Sequence, residues 1–167
     1  MVTDLVQIKR YGEKQREKNL RLRAWMKRHN FVERRLKVIA QEVEEAIDCT
    51  NCANCCRVAT TQISDRDGDR LARHLGMKLP DFLREYTIET PDEGRILRRT
   101  NDGCVFLSGN TCTVYEARPQ TCELFPHLAK GNGSLVSRMW HMPDRAVYCP
   151  IVFNTLESFK FETGFKK

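Results

Sequence analysis

Cys49, Cys52, Cys55 and Cys56 fall within eight residues, in the run Cys49-Thr-Asn-Cys52-Ala-Asn-Cys55-Cys56. A Cys-x-x-Cys step turns two sulfurs toward one point, the geometry that a tetrahedral metal or a cluster iron requires. The step occurs twice here, sharing Cys52, and Cys56 follows directly. Cys104, Cys112, Cys122 and Cys149 lie downstream as single cysteines. The total of eight thiols is twice the complement of one zinc or one iron–sulfur centre.

The spacing Cys49-x2-Cys52-x2-Cys55 matches the first three ligands of a bacterial ferredoxin run, and Cys149-Pro150 matches the Cys-Pro that closes one, though here it lies far off in sequence. Two structural zinc sites usually show two separated knuckles, whereas these knuckles overlap. The expected cofactor is therefore an iron–sulfur cluster, of the 4Fe–4S kind, with zinc as the alternative, and all eight cysteines are candidate ligands. Adjacent side chains of an extended segment point apart. Cys56 thus reads as a ligand of a second site, a bridge between metals, a free reactive thiol or a plain buried cysteine.

Four thiolates leave either kind of centre with a charge of about −2, which nearby N–H donors and cations must offset. Arg57 follows the first cluster and Arg118 lies between Cys112 and Cys122, so both are candidate cofactor-binding residues. The plainer reading of Arg118-Pro119 is a turn whose arginine binds a backbone carbonyl. Tyr115 and Phe125 are expected to pack around the site and exclude water, and Trp140 to be core. His127 and His141 are substitute ligands at most, and His29 and His74 carry no role.

The downstream pattern runs Cys104-x7-Cys112-x2-Tyr115-x2-Arg118-Pro119-x2-Cys122-x2-Phe125-Pro126 and ends on a late Cys149. With Cys-x2-Cys-x2-Cys-Cys before it, the chain resembles the bacterial YkgJ-type cysteine-cluster family over about residues 48–151. That family's domain is described as zinc- or iron-chelating, so the resemblance implies metal chelation. A relative with a similar cysteine motif, the flagellin lysine methylase, implies S-adenosylmethionine-linked chemistry as a further possibility. No Gly-rich strand-to-helix loop and no Cys-x3-Cys-x2-Cys spacing support that here.

The elements that must position these residues are written in composition and periodicity. At 167 residues and net charge +6 the chain is one ordinary domain with an appendage. Residues 1–47 hold 12 Lys/Arg and 7 Asp/Glu, so nearly all the net charge sits there. Mean hydropathy is −0.53, and no apolar run reaches the length of a membrane span. The N-terminus lacks a secretory pattern, so the expected compartment is the reducing cytoplasm, where clustered thiols mean metal or redox chemistry rather than disulfides.

Residues 4–47 read as helix, with an apolar stripe of Val32, Leu36, Ile39, Val43 and Ile47. Asn30 with Glu33 resembles a cap pair, which predicts two helices or one bent helix broken near His29. Ser64 before Asp65 and Asp67 caps a helix that Gly76 stops, and Pro80 opens another through residue 86. Residues 95–100 and 104–107 predict short strands around Asn101-Asp-Gly103. Residues 135–140 predict a further strand.

The fold class is α+β: a basic helical arm (1–47), a small irregular cysteine-rich domain held by metal (48–153) and a C-terminal tail (154–167). The function expected is a cytoplasmic metal-cluster protein with a redox, metal-handling or catalytic role. The alternative is a structural-zinc module whose basic residues 9–37 contact nucleic acid or an acidic protein. The plain reading of that basic face is a solvated helix with i,i+4 pairs. A third is packing of the arm on the cysteine domain or a second copy. Oligomeric state is open, and no membrane association is expected.

Overall fold

The computed structural model describes residues 1–29, 33–131 and 133–165. The described chain is α+β. Its helices are α1 (Leu5–Arg28), α2 (Glu33–Ala46), α3 (Cys49–Cys52), α4 (Asn54–Val58), α5 (Asp65–His74), α6 (Leu79–Tyr86), α7 (Gln120–Glu123), α8 (Leu135–Arg138), α9 (Met142–Arg145) and α10 (Pro150–Glu162). Its strands are β1 (Thr87–Thr90), β2 (Gly94–Leu97), β3 (Arg99–Thr100), β4 (Gly103–Cys104), β5 (Leu107–Ser108) and β6 (Thr111–Cys112). Two compact units divide the chain: residues 1–48 with 126–167, and Cys49–Phe125.

The first unit is helical. Asp4 caps α1 by accepting the Gln7 N–H at 2.8 Å. Ile8, Leu22 and Met26 bury one face of α1, and Leu36, Ile39, Ala40 and Val43 bury one face of α2. Both faces turn toward α10, which is buried nearly all round through Ile151, Val152, Leu156 and Phe159. The apolar stripe of α2 is thus covered within its own unit. The cap residue Asn30 and the stripe residue Val32 lie outside the described residues. Glu33 instead accepts from the Ser134 hydroxyl and the Leu135 and Val136 N–H groups. It satisfies the open amides at the start of α8. That contact corrects the strand expected over 135–140: the segment is α8 followed by a 3-10 turn, Met139–His141. Trp140 is also corrected, since it is 61% exposed and lies under the Arg23 guanidinium at 5.2 Å.

One polar residue on the buried face of α1, Asn19, is explained by α10. Its Oδ1 accepts from Lys160 Nζ at 2.9 Å, and Lys160, 4% exposed, also pairs with Glu157. Burial pulls the Lys160 ammonium below its ordinary range, against the pull of Glu157.

The second unit has a core of Ile63, Leu71, Ala72, Phe82, Leu97, Phe106, Val114 and Ala117. Phe82, Tyr86 and Phe106 stack in series with centroids 5.5 and 5.0 Å apart. α5 starts on a complete capping box between Ser64 and Asp67. Three antiparallel pairs, β1–β2, β3–β4 and β5–β6, follow as successive hairpins. Their registers put Leu97 opposite Thr87, Cys104 opposite Arg99 and Cys112 opposite Leu107.

Candidate metal centre

The first cluster lies on two single-turn helices with a sharp joint. α3 carries Cys49 and Cys52, α4 carries Cys55 and Cys56, and Ala53 between them is left-handed at φ +47°. The Ala53 N–H closes the first turn on Cys49 C=O at 3.0 Å, and Ala59 N–H closes the second on Cys55 C=O at 2.8 Å. Cys49 is exposed, while Cys52, Cys55 and Cys56 are half-buried.

Cys104 and Cys112 come from hairpin strands and rest on the aromatic core. β4 is pressed against α4. A Cβ at Gly103 (φ +130°) would sit 2.5 Å from the Cys56 carbonyl oxygen and 2.8 Å from Arg57 Cα. Only glycine permits that approach, which brings Cys104 beside Cys56. Cys122 sits in α7, its sulfur 3.8 Å from the Thr61 hydroxyl. α5 fixes the segment before it. Asp67 accepts the Gln120 N–H at 3.0 Å, and Arg70, paired with Asp67 at 2.7 Å, donates to Ala117 C=O at 3.3 Å and Arg118 C=O at 2.8 Å.

Electrostatics ties four of these thiols together. A hydrogen bond with Cys55 lowers Cys56 to about 7, against burial and with help from Arg57, its own backbone N–H and Arg99. Burial raises Cys104 and Cys112, and each rises further through the charge on Cys56. Burial pushes Cys122 up to about 12, opposed by Thr61 and reinforced by Cys56, Cys104 and Cys112. A cation placed among these four would reverse the penalty, because it favours the thiolates that burial disfavours. Cysteine sulfur is a soft donor suited to iron, zinc or clusters. Among the described residues, however, no three His, Cys, Asp or Glu side chains already converge into an ion's coordination shell.

The remaining sequence candidates are placed as follows. Arg57 donates Nη1 to Cys52 C=O at 3.0 Å and Nη2 to Gly109 C=O at 2.8 Å. Arg118 donates to Tyr115 C=O at 2.9 Å, and its guanidinium stacks over the Tyr115 ring at 3.9 Å. It is the carbonyl-binding arginine of a turn, and its charge reaches Cys112. Tyr115 is 45% exposed, so it shields Arg118 and not a buried site, contrary to expectation. Phe125 is half-buried. Cys149 belongs to the helical unit, buried at the start of α10, with its N–H on Arg145 C=O at 2.8 Å. His127 is left-handed at φ +66° and His141 is exposed, both in the helical unit.

Asp67, Arg70, Gly103 and Arg99 carry no site pattern in the sequence. The capping box announced Asp67 as a helix residue, but its bond to Gln120 spans 53 positions and leaves no local pattern. Gly103 was visible only as a turn residue.

The α+β chain thus crowds cysteines onto adjoining turns and hairpins. The comparison with protein families agrees: the family model "CxxCxxCC: Putative zinc- or iron-chelating domain" matches residues 48–150, a range that contains all eight cysteines. The chain belongs to this CxxCxxCC family. No curated protein and no solved structure matches it. Among the described residues no helix is long and apolar enough to cross a membrane.

Proposed function

We propose that this chain is an iron–sulfur protein of redox or metal-handling role, whose cysteine unit holds a cluster through Cys56, Cys104, Cys112 and Cys122. One observation carries the reading. The overlapping Cys49–Cys56 run lies on α3 and α4, and α4 is pressed against the hairpin of Cys104 at Gly103, so single downstream thiols gather beside one run of four. Two structural zinc sites usually show separated knuckles, whereas a compact multi-iron core suits overlapping ones. When bound, such a centre supplies one-electron transfer. The chain's own residues then do the rest. Arg57, Arg99 and Arg118 offset thiolate charge, and the Tyr86–Phe106 stack keeps water from the core beneath Cys104 and Cys112. Cys49, Cys52 and Cys55 offer further thiols on α3 and α4, and Cys149 one in the helical unit.

Anaerobic purification tests the reading. A brown protein with visible absorbance, iron and acid-labile sulfide supports it, and a colourless protein with stoichiometric zinc overturns it. Replacing each cysteine by serine in turn, with iron content as the readout, assigns the ligands.

A second reading has its own observation. Trp140 stands exposed beneath Arg23 of the basic α1, a pairing that suits stacking of an unpaired nucleobase. In that reading zinc is structural and the helical unit binds single-stranded nucleic acid. Affinity should then fall steeply with salt, and reversing the charges of Arg21, Arg23, Lys27 and Arg28 should abolish it.

A further inference from the structure

Arg57 lies where two thiol-bearing segments of the cysteine unit meet. Nη1 donates to Cys52 C=O at 3.0 Å, and Nη2 donates to Gly109 C=O at 2.8 Å and to Asn110 Oδ1 at 2.5 Å. Asn110 completes the circuit by donating Nδ2 to Asn51 C=O at 3.0 Å. Asn51 and Cys52 end α3, a helix of one turn. Gly109 and Asn110 are the two-residue turn between β5 and β6, and β6 ends on Cys112. One guanidinium and one amide therefore fasten the end of α3 to the Cys112 hairpin. On the other side of the run, Arg99 of β3 donates to Arg57 C=O and Ala59 C=O. The Cys49–Cys56 run is gripped at both ends by hairpins.

We propose that Arg57 and Asn110 form a latch that closes the first cysteine cluster onto the Cys112 hairpin and so sets how long metal is retained. The proposal rests on the metal–thiolate reading above and deepens it, and it assigns Arg57 as a positioning residue. The argument is geometric. The acceptors lie on α3 and on the β5–β6 turn, and a planar fork can bridge them together. Opening the latch breaks the three hydrogen bonds that cross to the β5–β6 turn without disturbing the aromatic core, so the segment can release as a local event. A lysine would keep the charge near Cys56 but could not span these acceptors, which separates a latch from simple charge neutralisation.

The test is metal transfer to a chromophoric chelator from metal-loaded full-length protein, wild type against Arg57→Lys, Arg57→Ala, Asn110→Ala and Asp81→Ala. Hydrogen exchange on the same samples reports whether the 49–59 segment opens. Both Arg57 variants should release metal on the order of tenfold faster, and Asn110→Ala about threefold faster. Asp81→Ala, which removes only the exposed pair with Arg84, should match wild type. Exchange should quicken in residues 49–59 and stay unchanged in β1–β2. Wild-type retention in Arg57→Lys would overturn the latch in favour of charge alone, and unchanged rates throughout would also overturn it. If an Arg57 variant does not fold, Asn110→Ala, at the exposed turn, decides the matter. A wild type that binds no metal sinks the metal reading and the latch with it, whereas a metal-bound wild type with unaltered variants sinks the latch alone.

Discussion

Gly103→Ala is the sharpest test of how the cysteine unit is built. The new methyl would arrive 2.5 Å from the Cys56 carbonyl oxygen and 2.8 Å from Arg57 Cα. Both are backbone atoms of α4, so no side-chain rotation relieves the clash. Relief requires β4 to move off α4, which carries Cys104 away from Cys56. The φ of +130° adds strain of its own, about 1–3 kcal/mol, and overpacking adds about 1–3 kcal/mol. The sum, about 2–6 kcal/mol, is a large share of the roughly 5–15 kcal/mol that holds a domain together. Gly94→Ala is the control: its φ is +68° but nothing lies within 4 Å of the added carbon. It incurs strain without the clash. Urea unfolding of the metal-free proteins and metal content after loading give the comparison. Gly103→Ala should lose more stability than Gly94→Ala and should also lose metal, while Gly94→Ala keeps it. Equal midpoints with full metal in both variants would refute the claim that β4 and α4 must touch for Cys104 to meet Cys56.

Three further outcomes are expected. In metal-free protein at neutral pH, iodoacetamide should label Cys56 before Cys104, Cys112 and Cys122, read by peptide mass spectrometry. Cys56, held to about 7, is half thiolate there, and its labelling should slow as pH falls below that value. Asp67→Asn should cost about 2–4 kcal/mol in denaturant unfolding, because the carboxylate accepts from Ser64, Arg70 and Gln120. Burial opposes its ionisation, but those bonds and Arg70 prevail and hold the carboxyl below its ordinary value. Its contribution is therefore full above that ordinary value and is lost as pH falls through the lower folded one, so wild type and Asp67→Asn should converge in strong acid. Lys160→Met should destabilise by about 1–3 kcal/mol by stranding buried Asn19, and adding Asn19→Leu should restore most of the loss in thermal melts.

Features governed by neighbours in sequence were legible. The Ser64 box, the Pro80 helix start, the stripe of Leu36, Ile39 and Val43, and the turn at Asn101 all depend on residues a few positions apart. Features governed by distant partners were not. β1 lacks alternation and exists because β2 pairs with it. Residues 154–162 lack a helical stripe because α10 is buried nearly all round, so no polar face marks the period. By residue type Trp140 reads as core and Tyr115 as a cover over the site, yet arginines lie over both at the surface. The thiols were legible as donors from spacing alone. Their grouping around Cys56 came only with the β4–α4 contact, which the sequence records as a single glycine. Arg57 was legible as a charge beside the cluster, but not as a hydrogen-bonding fork.

The burial of α10 has a consequence for how the protein is made. α1 and α2 cover their apolar faces against a helix that begins at residue 150, more than 100 positions after α2 ends. During synthesis Leu22, Leu36 and Ile39 emerge early and must wait, uncovered, until α10 follows. The whole Cys49–Phe125 unit is translated in that interval, with its own core and seven of the eight thiols. It can collapse while the helical unit still lacks its centre. The order of emergence therefore favours a nascent chain that folds its cysteine unit first and completes its helical unit second.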